Sequence, residues 1–280
     1  MNSSVRTIPF VKASACGNDF LLIDGALAPP NIEAFTALIC DRHNGVGADG
    51  VEWMLPHFTA DVEIRLINAD GSSAEISGNG TRCVAAYVCS QLGKERISVL
   101  TGAGVKICQL TSRRDSDYEF EIEMGQAVVE KELALKIGPG KIGAGKMGAG
   151  EVPREVRGIP VSVGNPHFVV FVPEFATNWQ TQAAEIQRNA HFQQGVNVEL
   201  VAIDSKYDVR ARFFERGVGE TQSSGTGSCA SAVAAIAVGR AISPVKVRAP
   251  GGAQTVRTVG SNVFLRGPAR LLCRGEFFLI

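Results

Sequence analysis

At 280 residues, 45% hydrophobic and 20% charged, the chain has the length of two ordinary domains and the composition of a soluble globular protein. Lys plus Arg (28) balances Asp plus Glu (28), so no basic field exists to attract nucleic acid or an anionic membrane. No apolar run reaches the roughly 20 residues of a membrane span, and residues 1–17 lack the hydrophobic core of a signal sequence.

Residues 8–12 and 20–24 are predicted as strands on either side of the turn Cys16-Gly17-Asn18-Asp19. Asn31 is placed to cap a helix over 31–42, with Ala34, Leu38 and Ile39 on one face. Residues 45–50 spell G-x-G-x-x-G, but they follow a helix instead of a strand, so the dinucleotide reading fails its context. Residues 62–67 alternate as a strand. The polar loop 68–72 then leads to Ser77-Gly78-Asn79-Gly80-Thr81 and an apolar helix over 83–92. Residues 97–101, 105–110 and 118–123 read as a β meander.

Residues 136–151 are rich in Gly, Lys and Ala, and 140–146 nearly spell a Walker A loop. Met147 offers no hydroxyl to Mg²⁺, so the segment reads as a surface connection between two halves. Beyond it come a strand over 160–163, the turn Gly164-Asn165-Pro166-His167, a strand over 168–172 and a helix over 177–189. Strands over 198–203 and 208–214 precede Ser224-Gly225-Thr226-Gly227-Ser228 and a helix running to Ala241. Strands over 244–248, 254–258, 262–265 and 271–280 complete the chain.

The two Gly-rich turns lie 147 positions apart (224 − 77), and the shift holds upstream. Asp61-Val62 matches Asp208-Val209, Arg65 matches Arg212, and Gly17-Asn18 matches Gly164-Asn165. Residues 61–80 and 208–227 share six identities. A period this long means two copies of a domain, not a solenoid. Each turn opens a helix, where bare N–H groups and the positive end of the dipole cradle a carboxylate or phosphate. A ligand between the two would meet Ser77 on one side and Ser224 on the other.

Asn18, Asn68, Asn165 and Asn197 fall in turns beside these motifs. Asn favours turns on its own account, but four of them with Glu215 and Arg216 suit a zwitterion. Helix N-termini would take the carboxylate, Asn carbonyls and Glu215 the ammonium, and Arg216 a second carboxylate. Seven cysteines, odd in number and without a C-x-x-C pair, read as free thiols of a reducing cytoplasm. They and the four histidines lack the spacing of zinc ligands.

The segments GNDFLLID, DRHNGVGADG, INADGSSAEISGNGTRC, VSVGNPH, GVNVE and FERGVGETQSSGTGSCA resemble diaminopimelate epimerase, in that order and over nearly the whole chain. The resemblance implies an α/β (α+β) protein of two pseudo-symmetric domains, each a β-barrel-like sheet around a central helix. Residues 1–123 with 271–280 would form one and 124–270 the other, with the active site in the cleft between them. It implies interconversion of LL- and meso-diaminopimelate for lysine and cell-wall synthesis, with no cofactor and no metal, in a cytoplasmic homodimer. Substrate contacts carry over to Asn18, Asn68, Gly78, Asn79, Asn165, Asn197, Glu215, Arg216, Gly225 and Thr226. His167 and Glu215 match the residues that tune the acid–base pair. Gly50 stands where some members place a Gln contact. Proline racemases and hydroxyproline epimerases look less similar, since they carry a histidine where this chain has Asn79.

One departure matters. Where the family has two cysteines as its acid–base pair, this chain has Ser77 and Ser224. A thiol near pKa 8.5, lowered at a helix N-terminus, serves as acid or base near neutrality. A hydroxyl is far less acidic and needs a partner for its proton. His167 is a candidate partner for one serine, and no comparable pair for both is evident from sequence. Cys83 and Cys229 lie more than a turn into each helix as core residues, and Cys16 has no symmetric mate. Three readings stay open: serines introduced to retain binding without chemistry, natural serines performing slow or altered proton transfer, and a non-catalytic binder of diaminopimelate or a similar amino acid.

Overall fold

The computed structural model describes residues 6–138 and 154–279. The near-Walker segment 140–146 and most of the expected connection at 136–151 lie outside the described residues. The chain divides into two compact units, Met1–Glu123 with Arg266–Ile280, and Met124–Leu265. The later border falls between Leu265 and Arg266 instead of the expected 270/271. Where two strands were expected near it, one runs unbroken from Asn262 to Phe278. Gly267-Pro268 looks like a break but is used inside the strand: Pro268 offers its carbonyl to Arg82 Nε at 3.2 Å. A Cβ on Gly267 would lie 3.0 Å from the Arg82 guanidinium carbon.

In the first unit, eight strands pair into a closed ring. Thr7–Ala15 lies antiparallel to Asn18–Asp24, which runs parallel to Gly50–Leu55. Gly50–Leu55 is antiparallel to Val62–Asn68, and that strand is parallel to Arg96–Thr101. Gly104–Arg114 and Asp117–Gln126 follow as antiparallel neighbours. Asn262–Phe278 closes the ring by pairing with both Asp117–Gln126 and Thr7–Ala15. Helix α1, Ile32–Cys40, is capped as expected, the Asn31 side chain accepting the Ala34 N–H at 3.0 Å. Phe35 and Ile39 of α1 join Trp53, Ile8 and Leu21 in one core cluster. The G-x-G-x-x-G segment links α1 to Gly50–Leu55, a helix–turn–strand order opposite to that of a dinucleotide turn.

Helix α2, Gly78–Leu92, packs against Thr7–Ala15, Asn18–Asp24 and Arg96–Thr101, and is buried from Asn79 to Ala86. It begins at Gly78, ahead of the expected 83, because Ser77 caps it: the Ser77 Oγ accepts the Gly80 N–H at 3.1 Å. The Ser-Gly-Asn-Gly run is thus the cap and first turn, not a lead-in. Gly93 ends the helix with φ 66°, the left-handed conformation that suits glycine.

The second unit follows the same succession. Arg154–Ser162 is antiparallel to Pro166–Phe171, which is parallel to Asn197–Ser205. Asp208–Glu215 follows antiparallel, Val245–Ala249 parallel and Gly252–Val259 antiparallel. Even the register recurs under the 147-residue shift. Phe20 faces Gly50 as His167 faces Asn197, and Val51 faces Ile67 as Val198 faces Phe214. Helix α3, Trp179–Gln187, sends Trp179, Ala183 and Ile186 into a cluster with Phe168 and Leu200.

Helix α4, Gly225–Ala237, contacts seven of this unit's strands. Its core positions are Cys229, Ala230, Ala232, Val233, Ala234 and Ala235. A helix walled on every side at interior packing density has room only for small side chains, which explains the composition of this stretch. It stops at Ala237, short of the expected 241. The Arg240 and Ala241 N–H groups bond back to the Ala235 carbonyl, and Gly239 turns to φ 72°.

Space at the first turn of α2 is decided by one side chain. A Cβ on Gly80 would sit 1.9 Å from Glu52 Oε1, whereas one on Gly78 would meet nothing within 4 Å. Gly80→Ala is therefore expected to lose about 1–3 kcal/mol by overpacking, while Gly78→Ala stays within about 0.5 kcal/mol of the parent. Urea unfolding of the two variants checks this.

Candidate active site

In the first unit, Ser77 stands half-buried at the N-cap of α2. Asn79, one turn in, donates from Nδ2 to Asn18 Oδ1 at 2.7 Å and accepts from Arg82 Nη2 through its own Oδ1. Asn18 in turn donates to Asp49 Oδ2 at 2.9 Å. The two-residue turn Cys16-Gly17, with φ 49° and 86°, places Asn18 at the start of its strand. Arg42 bonds Asp49 at 2.8 Å and Asp19 at 2.7 Å, and Lys12 reaches Asp19 at 3.0 Å. Burial pushes the Asp19 carboxyl up, but hydrogen bonds from Arg42 and Lys12 win and hold it below the usual range. Asn79 and Asn18 are thus fixed by a chain of charge-assisted bonds from fully buried Arg82 to Asp49. Asn68 bonds within its own loop, Nδ2 to Ser72 Oγ at 3.0 Å.

In the second unit, Ser224 caps α4, its Oγ accepting the Gly227 N–H at 3.1 Å. A hydrogen bond links Ser224 to Glu215; burial raises the Glu215 carboxyl above its usual range, with that bond and the His167 charge pulling the other way. His167 is buried, with Nδ1 2.7 Å from Glu199 Oε1 and Nε2 2.8 Å from Asn165 Oδ1. Asn165 Nδ2 lies 3.4 Å from Thr226 Oγ1. Asn197 donates to the Pro166 carbonyl at 3.1 Å and accepts the Arg216 N–H at 2.9 Å. The exposed Arg216 side chain bonds the Gln194 carbonyl at 2.8 Å. The second unit therefore gathers Ser224, Glu215, His167, Asn165 and Thr226 at one helix tip, with Gly225 in its first turn.

Two residues escape the sequence reading. Glu52 is fully buried, and among the described residues neither of its carboxyl oxygens has a hydrogen-bond partner. Burial alone pushes it up to about 8. Glu199, also buried, is raised by burial and pulled back by His167. A Cβ on Gly227 would lie 3.0 Å from Glu199 Oε1, the counterpart of the Gly80–Glu52 approach. The two glutamates are 147 positions apart (199 − 52), so the repeat itself was the signal that could have found them. Cys83 and Cys229 are core residues with no exposed surface. Among the described residues, no group of three or more His, Cys, Asp or Glu is placed to hold a metal ion.

The family profile described as diaminopimelate epimerase matches residues 10–130 and 159–272. The diaminopimelate epimerase of Pelotomaculum thermopropionicum is 36% identical over 276 residues, covering 96% of this chain and 98% of its own. That of Sphingopyxis alaskensis is 36% identical over 270 residues, covering 95% and 96%. The chain belongs to the diaminopimelate epimerase family. Its fold is also that of a phenazine biosynthesis protein of the PhzF family from Bacillus anthracis, with TM-score 0.71 at 15% identity over 98% of this chain and 100% of the other. A hydroxyproline epimerase from Agrobacterium vitis, solved with trans-4-hydroxy-L-proline, gives TM-score 0.68 at 17% identity over 100% and 94%. The serines at 77 and 224 each cap their helix, accepting an N–H at 3.1 Å.

Glu52 has a consequence for stability that can be measured without substrate. It binds its proton more tightly folded than unfolded, so its contribution is whole below about pH 4.5 and is lost as the pH climbs toward 8. One proton costs about 1.4 kcal/mol per pH unit in that window. Glu52→Gln is expected to flatten the pH–stability curve by that slope, read from urea unfolding at successive pH values. An unchanged slope would show that the carboxyl ionises freely.

Proposed function

We propose that this chain acts as a cofactor-independent amino-acid epimerase on diaminopimelate, interconverting the LL and meso forms, with Ser77 and Ser224 in the two acid–base positions. One observation carries the reading: family motifs that supply an acid–base residue at a helix N-cap occur twice, each capping serine followed by a glycine beside a buried carboxyl. Deprotonation at Cα leaves charge on the adjoining carboxylate. The N–H groups of Gly78, Asn79, Gly225 and Thr226 are suited to bind it. Asn18, Asn68, Asn165 and Asn197 supply amide contacts to the zwitterion, Glu215 faces an ammonium, and Arg216 a distal carboxylate. Glu215 and His167 tune Ser224, where the hydroxyl already bonds a carboxylate. The same reading carries a cytoplasmic homodimer with a small amino-acid substrate as its partner. No helix among the described residues is long and apolar enough to cross a membrane.

A second reading has its own support. Hydroxyls are poor substitutes for thiols in proton transfer, so the same scaffold would also serve as a diaminopimelate binder without turnover. Incubation with LL-diaminopimelate in D₂O separates the two. Deuterium at Cα is the expected result, and saturable heat of binding without exchange would establish the binder instead. Combining Ser77→Cys with Ser224→Cys is expected to raise the exchange rate by about 10²-fold or more. No gain in that double variant would mean the scaffold does not perform this reaction.

A further inference from the structure

The second unit supplies its serine with acid–base neighbours: Glu215 bonds Ser224, and His167 is paired with Glu199. Shifting by 147, the first unit has Asn68 in place of Glu215 and Phe20 in place of His167, neither of which takes up a proton near neutrality. Glu52 alone keeps its counterpart's chemistry. It is fully buried and both its oxygens lack a partner among the described residues, an arrangement that costs free energy in the folded chain. It points at the first turn of α2. The place a Gly80 Cβ would occupy is 1.9 Å from Glu52 Oε1 and 3.3 Å from Ser77 Cβ, so carboxyl and serine flank one point. The Ser77 Oγ accepts the Gly80 N–H at 3.1 Å, which leaves its own proton to donate.

We propose that Glu52 is the proton-accepting partner of Ser77, making the first unit's tip a serine–carboxyl relay. The inference rests on the epimerase reading for its role in turnover. With Glu52 ionised, the Cα–H electron pair stays on carbon and the α-proton passes to Ser77 Oγ. Ser77's own proton passes to the Glu52 carboxylate. The hydroxyl is regenerated, the carboxyl holds one proton more, and reversal returns a proton to that face. Glu52 acts through Ser77 and does not touch substrate, so it is a positioning and proton-holding residue. The charged and titratable groups around it are few. Cys83 of α2 is pushed up by burial, with the Arg82 charge opposing and Glu52, Cys16 and Asp19 adding to the rise. None of them is a cause of the shift at Glu52 itself.

Difference infrared spectroscopy on the full chain reads the carboxyl directly. A protonated-carboxyl band is expected to titrate near pH 8 and to be missing in Glu52→Gln. In Ser77→Ala its midpoint should rise by about half a pH unit or more, because the ionised carboxylate, which Ser77 does not bond in this structure, then lacks the hydroxyl whose proton it would draw. An unmoved midpoint in Ser77→Ala overturns the inference whether or not the chain turns substrate over. In D₂O, Glu52→Gln should slow deuterium wash-in at Cα of one recovered diaminopimelate stereoisomer by about 10²-fold or more while leaving wash-in to the other within about threefold. Glu52→Asp should recover part of the loss and shift the pH profile of that one exchange. Equal slowing from both isomers overturns the one-sided role. Absence of exchange in the unmodified chain counts against the epimerase reading alone, and the infrared midpoint still decides for Glu52.

Discussion

Everything at the two candidate tips follows from enclosing a helix on all sides with its N-terminus beside a buried carboxyl. Enclosure admits only small side chains, so α4 is built from Ala, Ser, Cys and Val. The first-turn N–H groups need acceptors, and Ser77 and Ser224 provide them at 3.1 Å each. The third helical position has no room for a Cβ, which would lie 1.9 Å from Glu52 Oε1 at Gly80, and 2.8 Å from Phe213 Cδ1 and 3.0 Å from Glu199 Oε1 at Gly227. A capping serine with glycine three positions on is thus what the cap bond and packing require here before any chemistry is asked of them.

The units share a plan and differ in what they place beneath it. At the second tip, two carboxyls and an imidazole surround the serine, and the buried glutamate has a partner in His167. At the first, an apolar Phe20 replaces the imidazole, and Glu52 is buried without a hydrogen-bond partner among the described residues. At the first tip Arg82, Asn79, Asn18 and Asp49 form one bonded series instead.

Much of this was legible in the residues. Alternating stretches gave the strands near 62–67 and 97–123, and Asn31 announced its helix. The motif order gave the family and the positions of both serines. Gly50–Leu55 was passed over because Val51-Glu52-Trp53-Met54-Leu55 does not alternate. A strand flanked by a parallel neighbour and covered on both faces loses the period-2 signal. Glu52 disappeared with it. The start of α2 was missed because Ser-Gly-Asn-Gly has the composition of a turn, and only the cap bond reveals it as helix. The Asn79–Asn18 and Arg82–Pro268 contacts join segments far apart in sequence, which local pattern cannot see.

The proposed function requires both capped helix tips to take part in holding one amino acid. Titrating meso-diaminopimelate into ¹⁵N-labelled chain and following the backbone amides tests it most directly. The account predicts that the N–H resonances of residues 78–80 and 225–227 move together and saturate with a single midpoint. Movement at one tip alone, two unrelated midpoints, or no response at either would contradict it.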